Sequence, residues 1–272
     1  MCTVSVIAAG LPGLRTVGLR VVCNRDESRD RTAALPPAWR TLDSQSPARA
    51  IWPIDPDAGG TWIAASDRGL VLSLLNLNPC PSVGPTAVSP AARGLVSRGL
   101  IIPELIHAAD AAGAMEALRR IDLRDFAAFR LVAFQLSGDA PDAQPESVEA
   151  SWDRTQLRIT PRTPGAACFT SSGLGDHLVT SRLGLFDEMV RAAPSRDAQD
   201  RYHRHVWPDR PHLSVMMSRE DARTVSVTTV EVARSGARTV VDMRYREASD
   251  ADGLHQRPLG NWAEARPPHR PQ

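Results

Sequence analysis

The sequence predicts an α+β protein built from two antiparallel β-sheets packed face to face, with helices outside both. Three observations carry this expectation. Runs rich in Val and Ile come in pairs separated by turn residues, as hairpins do. Helical spacing is confined to two blocks, around residues 97–120 and 183–205. Strands and helices therefore arrive in blocks rather than in strict alternation, which argues against a parallel doubly wound sheet.

Each element has its own justification. Cys2 to Ala9 is a β-rich run, Leu11-Pro12-Gly13 a turn, and Val17 to Cys23 a second run, so a hairpin is expected. Ser28 to Ala58 is rich in Pro, Arg and Asp, with Pro36-Pro37 and Trp52-Pro53, and is read as a long loop. Gly59-Gly60 leads into Thr61 to Ala65, Asp67-Arg68-Gly69 turns, and Leu70 to Leu75 completes a second hairpin ending at Asn76. After a loop from Pro79 to Pro90, Ser97 to Ala109 is mixed, with Pro103 near a first helical turn. Asp110 is placed to cap a helix running to about Arg120, with Met115, Leu118 and Ile121 on one face. Phe129 to Leu136 is a strand, and Ser137 to Glu146 a polar surface loop.

Short strands are expected near Ala150–Trp152, Gln156–Thr160 and Ala167–Thr170. Leu183, Phe186, Met189 and Val190 follow helical spacing, and Asp197 to His205 is a further helix. Leu213–Met217, Ser226–Val232 and Thr239–Tyr245 are expected strands, the last two joined at Ser235-Gly236. From Ser249 onward the chain is polar with repeated Pro and Arg and is expected to be a disordered tail. The expected organisation is one domain over residues 1–248 followed by that tail.

The bulk numbers exclude several classes of function. A chain of 272 residues, 42% of them hydrophobic, is long enough to bury a substantial core. Its 32 basic and 31 acidic residues nearly cancel, which argues against a nucleic-acid binder. Every basic residue among those 32 is arginine. Without lysine there is no Walker-type phosphate site, no Schiff base and no Ser–Lys pair. Cys2, Cys23, Cys80 and Cys168 are scattered and form no C-x-x-C pair, so a zinc ribbon is not expected. No run approaches the roughly 18 apolar residues of a membrane helix. The start lacks the basic flank of a secretory signal. These features give the expectation of a soluble cytoplasmic protein; a homo-oligomer stays open.

The chemistry is concentrated at the start of the chain. Cys2 follows the initiator methionine, and a small second residue permits removal of Met1. Cys2 would then carry a thiol and a free α-amine a few bonds apart, a nucleophile beside its own base. An α-amine titrates at about 7.7–8.0 and can take the thiol proton near neutral pH. Asn24-Arg25-Asp26-Glu27 closes the second strand, from which it can lie across the sheet from Cys2. Arg25 and Asp26 are expected to position the amine and thiol, and Asn76, at the end of a strand, to donate to the oxyanion. Asn24, Glu27 and Trp62 are expected to touch substrate. Gly59-Gly60 is a tight turn rather than a phosphate cradle, because no G-x-G-x-x-G or Walker spacing accompanies it. His203 and His205 lack a third ligand at suitable spacing, and a solvated basic face is expected there rather than a metal.

Met1-Cys2, Asn24-Arg25-Asp26-Glu27, Gly59-Gly60-Thr61-Trp62 and the strand ending in Asn76 recur in that order in the NRDE family, the family of transport and Golgi organization protein 2, which this chain resembles from Met1 to about Val232. The resemblance implies a four-layer αββα sandwich of the N-terminal nucleophile hydrolase type, similar to cholylglycine hydrolases and penicillin acylases. It maps Cys2 onto the nucleophile and Asn76 onto the oxyanion-hole asparagine. Those acylases space their Arg and Asp three apart, whereas Arg25 and Asp26 are adjacent; a shifted register would give the roles to Asn24 and Glu27. The nearest position for a second oxyanion donor holds Ser171-Ser172-Gly173. Two functions are expected to compete. One is a cofactor-independent and metal-independent hydrolase of a small amide or thioester. The other is a carrier using the same cleft for haem or an acyl lipid.

Overall fold

Strand β1 (Cys2–Ala8) buries both of its faces, and that decides the layering. Side chains alternate along a strand. Cys2, Val4 and Val6 enter one apolar cluster, while Ile7 enters another with Phe186, Val190 and Tyr202. The strand must therefore be covered on one side by a second sheet and on the other by helices. The computed structural model describes residues 2–10, 17–43, 46–78, 95–138, 143–235 and 238–248.

The remaining strands are β2 (Val17–Ser28), β3 (Leu35–Asp43), β4 (Ser46–Ile54), β5 (Ile63–Ser66), β6 (Val71–Asn76), β7 (Phe129–Leu136), β8 (Pro145–Trp152), β9 (Leu157–Pro161), β10 (Ala167–Thr170), β11 (Ala222–Ser235) and β12 (Arg238–Glu247). They form a five-stranded sheet in the order β10-β1-β2-β11-β12 and a seven-stranded sheet in the order β3-β4-β5-β6-β7-β8-β9. All named pairings are antiparallel. The inner faces meet in a core that includes Val4, Val21, Ile63, Val71, Val132 and Val230.

Helices cover both outer faces. Helices α1 (Ile101–Leu105) and α2 (Ala111–Leu118) pack on the seven-stranded sheet through Ile101, Leu105, Met115 and Leu118. Asp110 caps α2 as expected, its Oδ1 accepting from the Gly113 N–H at 2.7 Å. Helices α3 (Ser181–Phe186), continued by a π turn at Asp187–Arg191, and α4 (Arg196–His203) pack on the five-stranded sheet. The four layers are α, β, β and α, as the sequence implied.

Three expectations require correction. Much of the stretch from Ser28 to Ala58 is the β3–β4 hairpin, not a loop. Proline cannot donate to a ladder, which is why Pro36-Pro37 masked the strand. Here they sit on an edge strand, where the register skips between Leu35 and Ala38. Stacking of Arg40 on Trp52 at 4.5 Å and Arg49 on Trp39 at 5.2 Å bridges the two strands. Leu213–Met217 is not a strand; Pro211–Leu213 forms a short 3-10 turn instead. His203 does not lie on a solvated face, being only 2% exposed. The turns expected at Leu11-Pro12-Gly13 and Ser235-Gly236, the loop at Pro79–Pro90 with Cys80, and the tail from Ser249 involve residues outside those described.

Candidate active site

The antiparallel register sets the site. Cys2 is the first residue of β1 and pairs with Arg25 of β2, so both side chains point to the inter-sheet face. On the other side, Ser171, just past β10, grips the Cys2 backbone at both ends. Its Oγ accepts from the Cys2 nitrogen at 3.2 Å, and its own N–H donates to the Cys2 carbonyl at 2.9 Å. Cys2, Arg25, Asp26, Glu27, Trp62 and Asn76 all line one cavity of about 630 Å³. Asn76 reaches it because β6 ends there, opposite Phe129. Gly173 contributes to the same wall.

Arg25 is clamped rather than mobile. Its Nη2 donates to Asp55 Oδ2 at 2.8 Å and lies 3.5 Å from Glu27 Oε2, and its guanidinium stacks over the Trp62 ring at 4.4 Å. Asp55 also accepts from Arg31 at 2.8 Å. The turn after Asp55 is tied by hydrogen bonds from Asp55 N to Gly60 O at 2.9 Å and from Gly59 N to Asp55 O at 2.8 Å. Gly59 has φ +69°, which suits glycine.

Asp26 stands past the end of β1. Its Oδ1 accepts from Thr224 Oγ1 at 2.6 Å, and Arg182 Nη1 lies 3.5 Å from Oδ2. Burial raises its pKa, opposed by Arg182, Thr224 and the positive charge of the chain terminus. Arg182 is itself buried, donating to the Leu213 carbonyl at 2.9 Å and to Thr3 Oγ1 at 2.8 Å.

The Cys2 thiol sits in an environment that favours its charged form. Its pKa is lowered chiefly by a hydrogen bond from the Cys23 thiol, with help from the chain terminus and Arg25, against burial and the Asp26 charge. Cys23 is raised well above its ordinary value, because it keeps the proton it shares with Cys2 and is fully buried. Val4 pairs with Cys23, which places Cys23 one step diagonal to Cys2 on the same face.

Asn24 is not at this site. Alternation turns it to the helical side, where its Nδ2 donates to the carbonyls of His203 at 2.8 Å and Val215 at 3.0 Å. Its Oδ1 is then the acceptor for His203 Nδ1–H at 2.9 Å, which leaves His203 Nε2 to accept from Ser5 Oγ at 2.7 Å. Burial, aided by Arg20, lowers the His203 pKa to about 3, so the ring is neutral. The expectation that Asn24 touches substrate is therefore corrected: it ties α4 to the sheet. Asp55 and Arg182 were missed as site residues, and Ser171, named only as the nearest position for a second oxyanion donor, holds the Cys2 backbone instead. Asp55 was hidden in the stretch read as a loop, and the partners of Arg182 and Ser171 lie far away in sequence.

Comparison with known proteins agrees with this architecture. The N-acylethanolamine-hydrolyzing acid amidase ortholog of Caenorhabditis elegans superposes with a TM-score of 0.51 at 14% identity, over 83% of this chain and 91% of that one. A variant of conjugated bile acid hydrolase from Clostridium perfringens gives a TM-score of 0.43 at 9% identity, over 90% of this chain and 97% of that one. The fold is that of the N-terminal nucleophile hydrolases. No curated protein matches the sequence. The family model described as Transport and Golgi organisation 2 matches residues 1–197, and the chain belongs to that family.

Proposed function

We propose that the protein is an N-terminal cysteine hydrolase acting on a small amide, or on a thioester of similar shape. The observation that carries this reading is the convergence of Cys2, Arg25, Asp26 and Asn76 on one cavity, with the Cys2 thiol pKa lowered. In the trimmed chain, the Cys2 nitrogen held by Ser171 is the α-amine. It takes the thiol proton as sulfur attacks the substrate carbonyl. The oxyanion accepts from the Asn76 amide. Collapse forms a thioester and expels the amine, which receives the proton. Water then attacks the thioester, yielding the acid and regenerating the thiol. Arg25 and Asp26 orient the first residue, and Glu27 and Trp62 border the substrate.

The amide class is supported by the fold shared with the worm amidase, whose own substrate need not be this one. A carrier for haem or an acyl chain is less well supported, because the cavity is bordered by a chain of ion pairs running from Arg25 through Asp55 to Arg31. Intact-mass measurement of the purified protein should show loss of Met1. Short N-acyl amides and thioesters should be turned over by the wild type and not by Cys2→Ser. Retained Met1 together with no turnover, alongside apolar-ligand binding unchanged by Cys2→Ser, would replace this reading with the carrier.

A further inference from the structure

The charges around the cavity are unevenly matched. Asp55 holds both Arg25 and Arg31 at 2.8 Å. Asp57 lies 3.2 Å from Arg31 and also accepts from the Thr32 N–H at 3.2 Å. Glu27 is engaged by the Ser28 N–H at 3.0 Å and faces Arg25 at 3.5 Å. Asp26 has Thr224 and Arg182. Every acid bordering the cavity thus has a cationic partner.

Arg98 is the exception. It lines the same cavity and is half-buried, yet among the described residues no carboxylate forms an ion pair with it. Its one hydrogen bond is from Nη1 to the Ala128 carbonyl at 2.9 Å, which fixes the guanidinium without neutralising it. The charges of Glu27 and of an ionised Cys2 both act on Arg98, so it stands within electrostatic reach of the nucleophile. A partly desolvated guanidinium without a counter-anion is costly, and a ligand carboxylate would remove that cost.

The position of Arg98 is also built in. Gly99 O accepts from the Thr61 N–H at 3.0 Å, and a Cβ on Gly60 would come within 2.4 Å of the Gly99 carbonyl carbon. The backbones of 60–61 and 99 are in direct contact, which pins the chain at Arg98 against the cavity wall that carries Trp62. Val96 N–H to Asp125 O at 2.9 Å secures the segment two residues earlier.

We propose that Arg98 is a specificity residue that anchors a carboxylate on the substrate, so that the site takes amides bearing an anionic group a few bonds from the scissile carbonyl. This rests on the hydrolase reading above. Two matched pairs of probes test it: N-hexylsuccinamate against its neutral keto isostere N-hexyllevulinamide, and N-hexanoylglycine against N-hexanoylaminoacetone. The wild type should prefer the charged member of at least one pair. Arg98→Gln should reduce that preference in kcat/KM by about ten- to a hundredfold, through KM, as expected for loss of a charge-assisted hydrogen bond, and Arg98→Lys should restore part of it. Calorimetry with Cys2→Ser protein reads the same preference as affinity, without turnover. A carboxylate preference by calorimetry that depends on Arg98, with no hydrolysis by the wild type, upholds the anchor and ends the hydrolase reading. Equal affinity for charged and neutral probes, no binding of either, or an Arg98→Gln loss confined to kcat on both members overturns the anchor.

Discussion

The two faces of β2 at residues 24–27 make an instructive contrast. Arg25 faces the inter-sheet cavity, where Asp55, Glu27 and Trp62 hold it beside Cys2. Asn24, one residue earlier, faces the opposite layer and is sealed among His203, Val215 and the helices. Both residues are almost fully buried and both are fully occupied with partners. Only one borders space that a ligand can enter. A single short motif therefore serves two ends: one side lines the cavity that holds Cys2, and the other fastens a helix to the sheet that carries Cys2.

Substitutions on the two sides should separate activity from stability. The largest effect is expected on the cavity side, where Cys2→Ser should lower turnover by at least about 10³-fold while the unfolding midpoint barely moves. Asn76→Ala should cost about 10²–10³ in kcat, the range for loss of one oxyanion donor, again with stability preserved. On the sealed side, Asn24→Ala removes three buried hydrogen bonds and strands their partners. It should cost about 3 kcal/mol in denaturant unfolding and more in stability than in turnover. If Asn24→Ala instead abolished turnover in a fully folded protein, the division between the faces would fail.

The sealed side also predicts a pH dependence. The His203 pKa falls from its ordinary 6.5 to about 3 in the fold, so between these values the unfolded chain binds a proton that the native state refuses. Stability is therefore complete above about pH 6.5 and declines as pH falls toward 3. This group alone should remove about 2 kcal/mol by about pH 5, measured by urea unfolding, and His203→Gln should flatten that slope. The smallest readout is chemical. A thiol electrophile should label Cys2 before Cys168, whose pKa burial pushes up to about 12, and before Cys23. Preferential labelling of Cys168 would contradict the assignment.

Much of this contrast was legible in the chain itself. Strand alternation was available: once Arg25 pairs with Cys2, Asn24 must point the other way. Treating the tetrad as one unit concealed that. The β1–β2 hairpin and the strand ending at Asn76 could be read because Val and Ile runs and adjacent turns are local signals. The β3–β4 hairpin could not, since Pro36 and Pro37 fit a ladder only because β3 is an edge strand, and its arginines are covered by stacking on tryptophan. Arg182 reaches Asp26 across more than 150 positions, and Ser171 reaches Cys2 across a comparable span; no local pattern encodes such contacts. That Arg98 forms no ion pair among the described residues was equally invisible, because it depends on where four carboxylates spend their hydrogen bonds.

The grip of Ser171 on the first nitrogen of β1 has a practical corollary. If that nitrogen is the working base, any affinity tag or fusion partner left ahead of residue 2 converts it to a non-basic amide inside a tight seat. Recombinant material intended for assay should therefore carry its handle at the far end of the polypeptide. Preparations tagged at the front would look inert for reasons of construction alone.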